Sequence, residues 1–163
     1  MNPPGSYHKH SSASKDSRIA VIGLGYVGLP LAHAFANLYD KIGFDINERR
    51  VIELKRGFDS SNELIAEQFE ESINLEFSDK DSCLQNYDIY IITAPTPVDG
   101  QHQPHLELVK KATRLVASHL QMGNIVIFES TVYPGATEEE CAPLLSEISG
   151  LSFNTDFHVG YSP

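Results

Sequence analysis

Apolar strands alternating with amphipathic helices predict an α/β protein, a Rossmann-type, doubly wound, mostly parallel six-stranded sheet in a single domain. Three observations carry that expectation. Ile19 to Ile22 is an unbroken apolar run, the pattern of a parallel strand buried on both faces. It enters Gly23-Leu-Gly-Tyr-Val-Gly28, after which Leu29, Leu31, Ala32, Phe35 and Ala36 recur at helical spacing. Strand-like and helix-like segments then alternate to the end of the chain, the rhythm of βαβ units.

The glycines have separate physical reasons. Gly23 allows a tight turn, Gly25 lets a pyrophosphate approach the backbone, and Gly28 lets the helix pack close to the strand. The helix N-terminus offers free N–H groups and a partial positive charge to phosphates. Pro30 falls in the first turn, where a missing N–H costs nothing. The second strand, Lys41 to Asp45, ends on an acidic residue about 20 residues beyond the glycines, where a carboxylate can grip ribose hydroxyls. Such a carboxylate repels a 2′-phosphate, which favours NAD over NADP. The alternative is a solvated acid capping the next helix. Arg50 has three readings: it could accept a phosphate, stack on adenine, or face water.

The remaining elements follow in order. A helix is expected from about Asn47 to Arg56, stopped by Gly57, and an acidic amphipathic helix from Ser60 to Ser72. Short strands follow at Leu75 to Phe77 and Asp88 to Thr93, the latter closed by Ala94-Pro-Thr-Pro97. Val98 to Pro104 reads as a loop. Helical spacing resumes from Leu106 to Leu120, with Gly123 as its cap. Asn124 to Phe128 is the fifth strand. Thr137 with Glu140 has the form of a capping box for a helix Glu138 to Ile148. A last strand spans about Phe153 to Gly160. The strand order expected is 3-2-1-4-5-6, which brings the glycine turn, Ala94 to Pro97 and Glu129 to Thr131 to one crevice at the carboxyl ends of the strands.

Composition excludes several classes of function. The 163 residues are 41% hydrophobic and 21% charged, the balance of a globular protein with a real core. A net charge of −10 argues against nucleic acid or an anionic membrane as partner. No apolar run approaches a membrane span, and no secretory core marks the N-terminus. Cys83 and Cys141 form neither metal-ligand spacing nor a disulfide framework, so no metal is expected, and reduced thiols suit a cytoplasmic protein. Residues 1 to 17 are polar and rich in serine and proline, and are expected to be a disordered leader in which His8 and His10 are mobile rather than metal ligands.

Gly23-Leu-Gly-Tyr-Val-Gly-Leu-Pro30, Ala94-Pro-Thr-Pro97, Glu129-Ser-Thr-Val-Tyr-Pro-Gly-Ala-Thr-Glu-Glu139 and Gly160-Tyr-Ser-Pro163 together resemble the N-terminal, NAD-binding domain of the UDP-glucose/GDP-mannose dehydrogenase family. The resemblance covers residues 18 to 163. Pro95 to Asp99 with Gln103-Pro104, and the run through Cys141, are most similar to the branch that oxidises UDP-N-acetylhexosamines for surface polysaccharides. The resemblance implies oxidation of the C6 alcohol of a nucleotide sugar to a carboxylate. Two NAD are reduced per turnover, and a cysteine captures the intermediate aldehyde as a thiohemiacetal and then carries a thioester that water hydrolyses. It implies that Gly23, Gly25 and Gly28 shape the turn, that Tyr26 and Val27 contact the pyrophosphate, and that Asp45 holds the adenosine ribose with Arg50 beside it. Thr96 and Thr131 flank the nicotinamide half, Thr131 also holding a catalytic water. Without the resemblance, Thr96 could merely shape a turn and Thr131 cap a strand end.

Glu129 is either a general base or a strand-end acid that is solvated or faces a helix. Neither Cys83 nor Cys141 matches the family nucleophile. That nucleophile, its lysine and asparagine partners, the UDP-sugar site and the dimerising helix of full-length members are expected beyond Pro163, so this chain is expected to bind NAD without turning over. His105 stands where relatives carry an aspartate, which weakens the helix cap. Two other readings are a free-standing NAD-binding regulatory module and a different Rossmann oxidoreductase such as a 3-hydroxyacid dehydrogenase. The Ala-Pro-Thr-Pro and Glu-Ser-Thr-Val-Tyr-Pro-Gly segments argue against the latter.

Overall fold

The structure, a computed structural model, describes residues 16–72, 74–97 and 105–162. The expected leader up to residue 15, with His8 and His10, and the loop Val98 to Pro104 lie outside the described residues.

Strands β1 (Arg18–Ile22), β2 (Asp40–Phe44), β3 (Glu76–Ser78), β4 (Ile89–Ile92), β5 (Ile125–Phe128) and β6 (His158–Tyr161) form one sheet in the order β3-β2-β1-β4-β5-β6. Every neighbouring pair is parallel, so the sheet is wholly rather than mostly parallel. The unbroken apolar run of β1 has a direct cause: alternate residues feed two cores. Ile19 and Val21 join Leu24, Leu29, Ala32, Leu54 and Ile91 beneath helices α1 (Gly28–Phe35) and α2 (Glu48–Lys55). Ala20 and Ile22 join Phe44, Tyr90, Ile92, Val109, Val116, Phe128 and Leu145 beneath α4 (Glu107–Ala117) and α5 (Ala142–Ser149). Each such aliphatic side chain contributes roughly 2 kcal/mol when fully buried. At the opposite edge Arg18 ties three strands: its N–H donates to Asp88 at 2.7 Å, its Nε to Asp40 at 3.0 Å, and its guanidinium lies over the Tyr87 ring.

Several expected elements are shorter or shifted. The helix expected from Ser60 contracts to α3 (Ala66–Glu71), because residues 60–65 wrap around the buried Asp59 carboxylate, which accepts the N–H groups of Ser61, Glu63 and Leu64. The Thr137–Glu140 capping box does not form. Thr137–Cys141 is instead a π-helical turn running into α5, Thr137 is buried, and Glu140 reaches across to Lys110 at 2.7 Å. Gly123 (φ +89°) serves the turn into β5 rather than capping α4, whose C-cap is Ser118. The stretch before β6 is a turn bridging Phe153 and Phe157. His105 is not the cap of α4. Its N–H donates to the Pro97 carbonyl at 2.8 Å and pins the start of that helix to the β4 turn.

Between β1 and α1 the backbone approaches itself more closely than a side chain allows. A Cβ on Gly28 would lie 1.8 Å from the Gly23 carbonyl oxygen and 2.4 Å from Thr93 Oγ1, and Gly23 itself has φ +99°. Gly28→Ala should therefore cost about 2–3 kcal/mol of stability, read as a lower midpoint in urea unfolding. An unchanged midpoint would mean that this turn is looser than described.

Candidate functional site

The carboxyl ends of β1, β2, β4 and β5 open onto one cavity of about 570 Å³. Gly23, Leu24, Gly25, Tyr26 and Val27 line it from the turn after β1, and Asp45 and Ile46 from the end of β2. Ala94, Pro95 and Thr96 line it from the β4 turn, Glu129, Ser130 and Thr131 from the end of β5, and Leu108, Lys111 and Ala112 from α4. The three sequence-remote segments expected to meet do meet, and Asp45, Thr96 and Thr131 share one crevice.

The glycine turn is shaped from several sides. Asp45 accepts the Leu24 N–H on one oxygen and the Asn47 N–H on the other, each at 2.8 Å. Asp45 thus braces the turn and the start of α2 while lining the cavity. Asn47 caps α2, accepting from the Arg49 and Arg50 N–H groups. The N–H groups of Gly25, Tyr26 and Val27 meet no acceptor among the described residues, and the first turn of α1 carries no acidic side chain. Unpaired amides at an unopposed helix N-terminus are donors for an anion. A Cβ added at Gly25 would meet no atom within 4 Å, so the turn leaves open space there for a ligand backbone contact. The residues present therefore fit a dinucleotide: donors for a diphosphate, a carboxylate for a ribose, and the apolar Ile46, Leu108 and Ala112 for a base.

Arg50 is not brought into the cavity lining. Its Nε donates to the Leu24 carbonyl at 3.0 Å, and its Nη1 pairs with Asp59 at 2.5 Å. Its Nη2 is buried and meets no hydrogen-bond partner among the described residues. A buried carboxylate beside α2 outcompetes solvent for the guanidinium, so Arg50 supports the glycine turn through the Leu24 carbonyl. Burial alone would raise the Asp59 pKa. The Arg50 hydrogen bond and the Leu64, Ser61 and Glu63 N–H groups outweigh it and hold the carboxyl below its usual range.

Sequence reading missed Thr93. Its hydroxyl lies 2.6 Å from the Gly23 carbonyl and 3.1 Å from that of Ile22, clamping the turn onto β4. Only the strand register, Ile22 opposite Ile92, reveals that Thr93 faces Gly23. Ser130 likewise donates to the Ala94 carbonyl at 2.6 Å, joining the β4 and β5 turns. Asp79 and Asp81 also line the cavity, and a 3.0 Å hydrogen bond from Lys80 holds the Asp79 carboxyl below its usual range. Neither cysteine lines it: Cys141 is buried, Cys83 half-buried, and burial pushes both thiols up. Among the described residues no group of three metal-ligating side chains occurs, and no helix is long and apolar enough to cross a membrane.

A parallel sheet in this order, with a glycine turn, an acidic β2 terminus and a shared carboxyl-edge cavity, defines a nicotinamide-dinucleotide-binding domain. Residues 17–163 match the NAD binding domain of the UDP-glucose/GDP-mannose dehydrogenase family, and the chain belongs to that family. It is 50% identical over 149 residues to a UDP-N-acetyl-D-glucosamine 6-dehydrogenase of Pseudomonas aeruginosa, covering 91% of this chain and 35% of that protein. The solved UDP-D-ManNAc dehydrogenase of Pyrococcus horikoshii superposes with a TM-score of 0.83 at 36% identity, over 90% of this chain and 36% of that one. The UDP-N-acetyl-mannosamine dehydrogenase Cap5O of Staphylococcus aureus gives 0.79 at 29% identity, over 89% and 36%. The chain spans about a third of the length of the curated relatives it matches.

Two outcomes follow from this geometry. Gly25→Ala should leave thermal stability nearly unchanged but weaken NAD binding at least about tenfold in calorimetry, because the added methyl occupies only ligand space. Asp59→Asn should cost about 3 kcal/mol at neutral pH by removing the 2.5 Å charge partner of the buried Arg50 and leaving it only Glu53 at 3.6 Å. Since the folded pKa of Asp59 is depressed, its contribution is present above the unfolded value near 4 and is lost as pH falls through the folded one. The variant's urea midpoint should accordingly converge on the parent's in acid.

Proposed function

We propose that this chain is the cofactor half of a UDP-N-acetylhexosamine 6-dehydrogenase, with residues 18–163 acting as one NAD-binding domain. The single observation that supports this most is the cavity shared by Asp45, the glycine turn, Thr96 and Thr131. In this reading the adenosine ribose donates to the Asp45 oxygens, which already accept one N–H each and retain lone pairs. The Tyr26 and Val27 N–H groups hold the diphosphate, and Thr96, fixed between Pro95 and Pro97, orients the second ribose. When bound, NAD supplies the hydride acceptor for oxidation of an alcohol carbon. Thr131, exposed at the end of β5, holds a water by its hydroxyl without adding charge beside the ring. Arg50 acts indirectly, by holding the Leu24 carbonyl and hence the turn.

The identities with N-acetylhexosamine dehydrogenases support that sugar class. Covalent capture of an aldehyde needs a thiolate beside the nicotinamide, and the two cysteines of this chain stand outside the cavity. In this reading neither Cys83 nor Cys141 is the nucleophile, and these 163 residues are expected to bind cofactor without oxidising sugar.

Calorimetry tests the cofactor half: NAD should bind at least about tenfold more tightly than NADP, and Asp45→Asn should narrow that ratio. Equal affinities in the parent chain would refute the role given to Asp45. Incubation with NAD and UDP-N-acetylglucosamine should produce no absorbance at the NADH wavelength, and steady NADH formation would overturn the expectation that these residues bind cofactor without oxidising sugar.

A further inference from the structure

We propose that Glu129 selects the oxidation state of the cofactor, its carboxylate favouring the cationic oxidised nicotinamide over the neutral reduced ring. The inference rests on the NAD placement proposed above. With adenosine at the end of β2 and the diphosphate at β1, the extended dinucleotide reaches β4 and β5 with its nicotinamide. At the usual strand spacing the distance from β2 to β5 is roughly 14 Å.

Glu129 stands at that far end. The parallel register pairs Ile92 with Phe128, so Glu129 is the first residue beyond the sheet, and its N–H donates to the Ile92 carbonyl at 2.9 Å. This bond pins it beside the turn that carries Thr93 to Thr96. Glu129 is half-buried and lines the cavity together with Ser130 and Thr131. The other charged residues lining the cavity are Asp45, Asp79 and Asp81, which belong to the ends of β2 and β3, and Lys111 on α4. Among the described residues no charged side chain from the β4 turn lines the cavity beside Glu129. A fixed negative charge there acts on the one part of the cofactor whose charge changes.

Accepting a hydride, two electrons with one proton, removes the formal positive charge of the ring. A carboxylate about 6 Å away in a partly shielded crevice favours the charged form by about three- to tenfold in affinity. Thr96 and Thr131 are uncharged and bind both forms alike, so Glu129 is the residue through which this domain would hold the oxidised cofactor and release the reduced one.

The test is separate titration of the 163-residue chain with NAD+ and NADH, beside Glu129→Gln and Glu129→Lys. The glutamine variant is isosteric and the position half-exposed, so folding is checked by the thermal midpoint. Glu129→Gln should weaken NAD+ about three- to tenfold and leave NADH unchanged or tighter. Glu129→Lys should move the ratio further the same way, and added salt should shrink the parent's preference. If both variants weaken the two forms equally, or change neither, the inference is wrong while the NAD placement stands. If the parent chain binds neither form, the placement itself fails and the inference with it.

Discussion

The backbone crossing between Gly23 and Gly28 constrains everything built at the carboxyl edge of the sheet. With 1.8 Å separating a would-be Cβ from a carbonyl oxygen, α1 can start where it does only because no side chain exists there. The Thr93 hydroxyl then closes the arrangement from β4, Asp45 from β2, and Arg50 from α2. Four elements thus hold one short turn, and the turn in turn aims the N-terminus of α1 at the cavity. Backbone donors fixed in this way need no reorganisation when an anion arrives.

The cavity divides its chemistry along its length. Backbone amides without acceptors among the described residues lie at the glycine turn, and carboxylates at the β2–β3 end. The hydroxyls of Thr96 and Thr131 and the charged Glu129 line the β4–β5 side, and Lys111 lines it from α4. Apolar side chains from α4 and Ile46 complete the walls.

The placement of the cysteines separates binding from chemistry. Cys141 packs into the core beneath α5 and Cys83 sits in the turn before β4, both with thiols biased toward the protonated form. Among the described residues neither thiol lines the cavity. The chain spans about a third of the length of its curated relatives.

Much of this was legible from residue order alone. Buried parallel strands need unbroken apolar runs, and a tight turn against a helix needs glycine, so β1, the fingerprint and the sheet order could be read without coordinates. Asp45 was legible because its distance from the glycines is set by one βα unit. The Ser60–Ser72 helix misled because its apolar spacing was helical, while the buried Asp59 claimed the backbone N–H groups that a first helical turn would have used. The capping box at Thr137 failed for a related reason: Glu140 found a cation on α4, a partner invisible to local pattern. Only tertiary structure decided that Arg50 turns to Asp59, that Thr93 clamps Gly23, and that Glu129 shares a wall with Thr131. Local periodicity records which face of an element is buried, whereas partnerships between side chains on different elements depend on register and crossing, which sequence spacing does not encode.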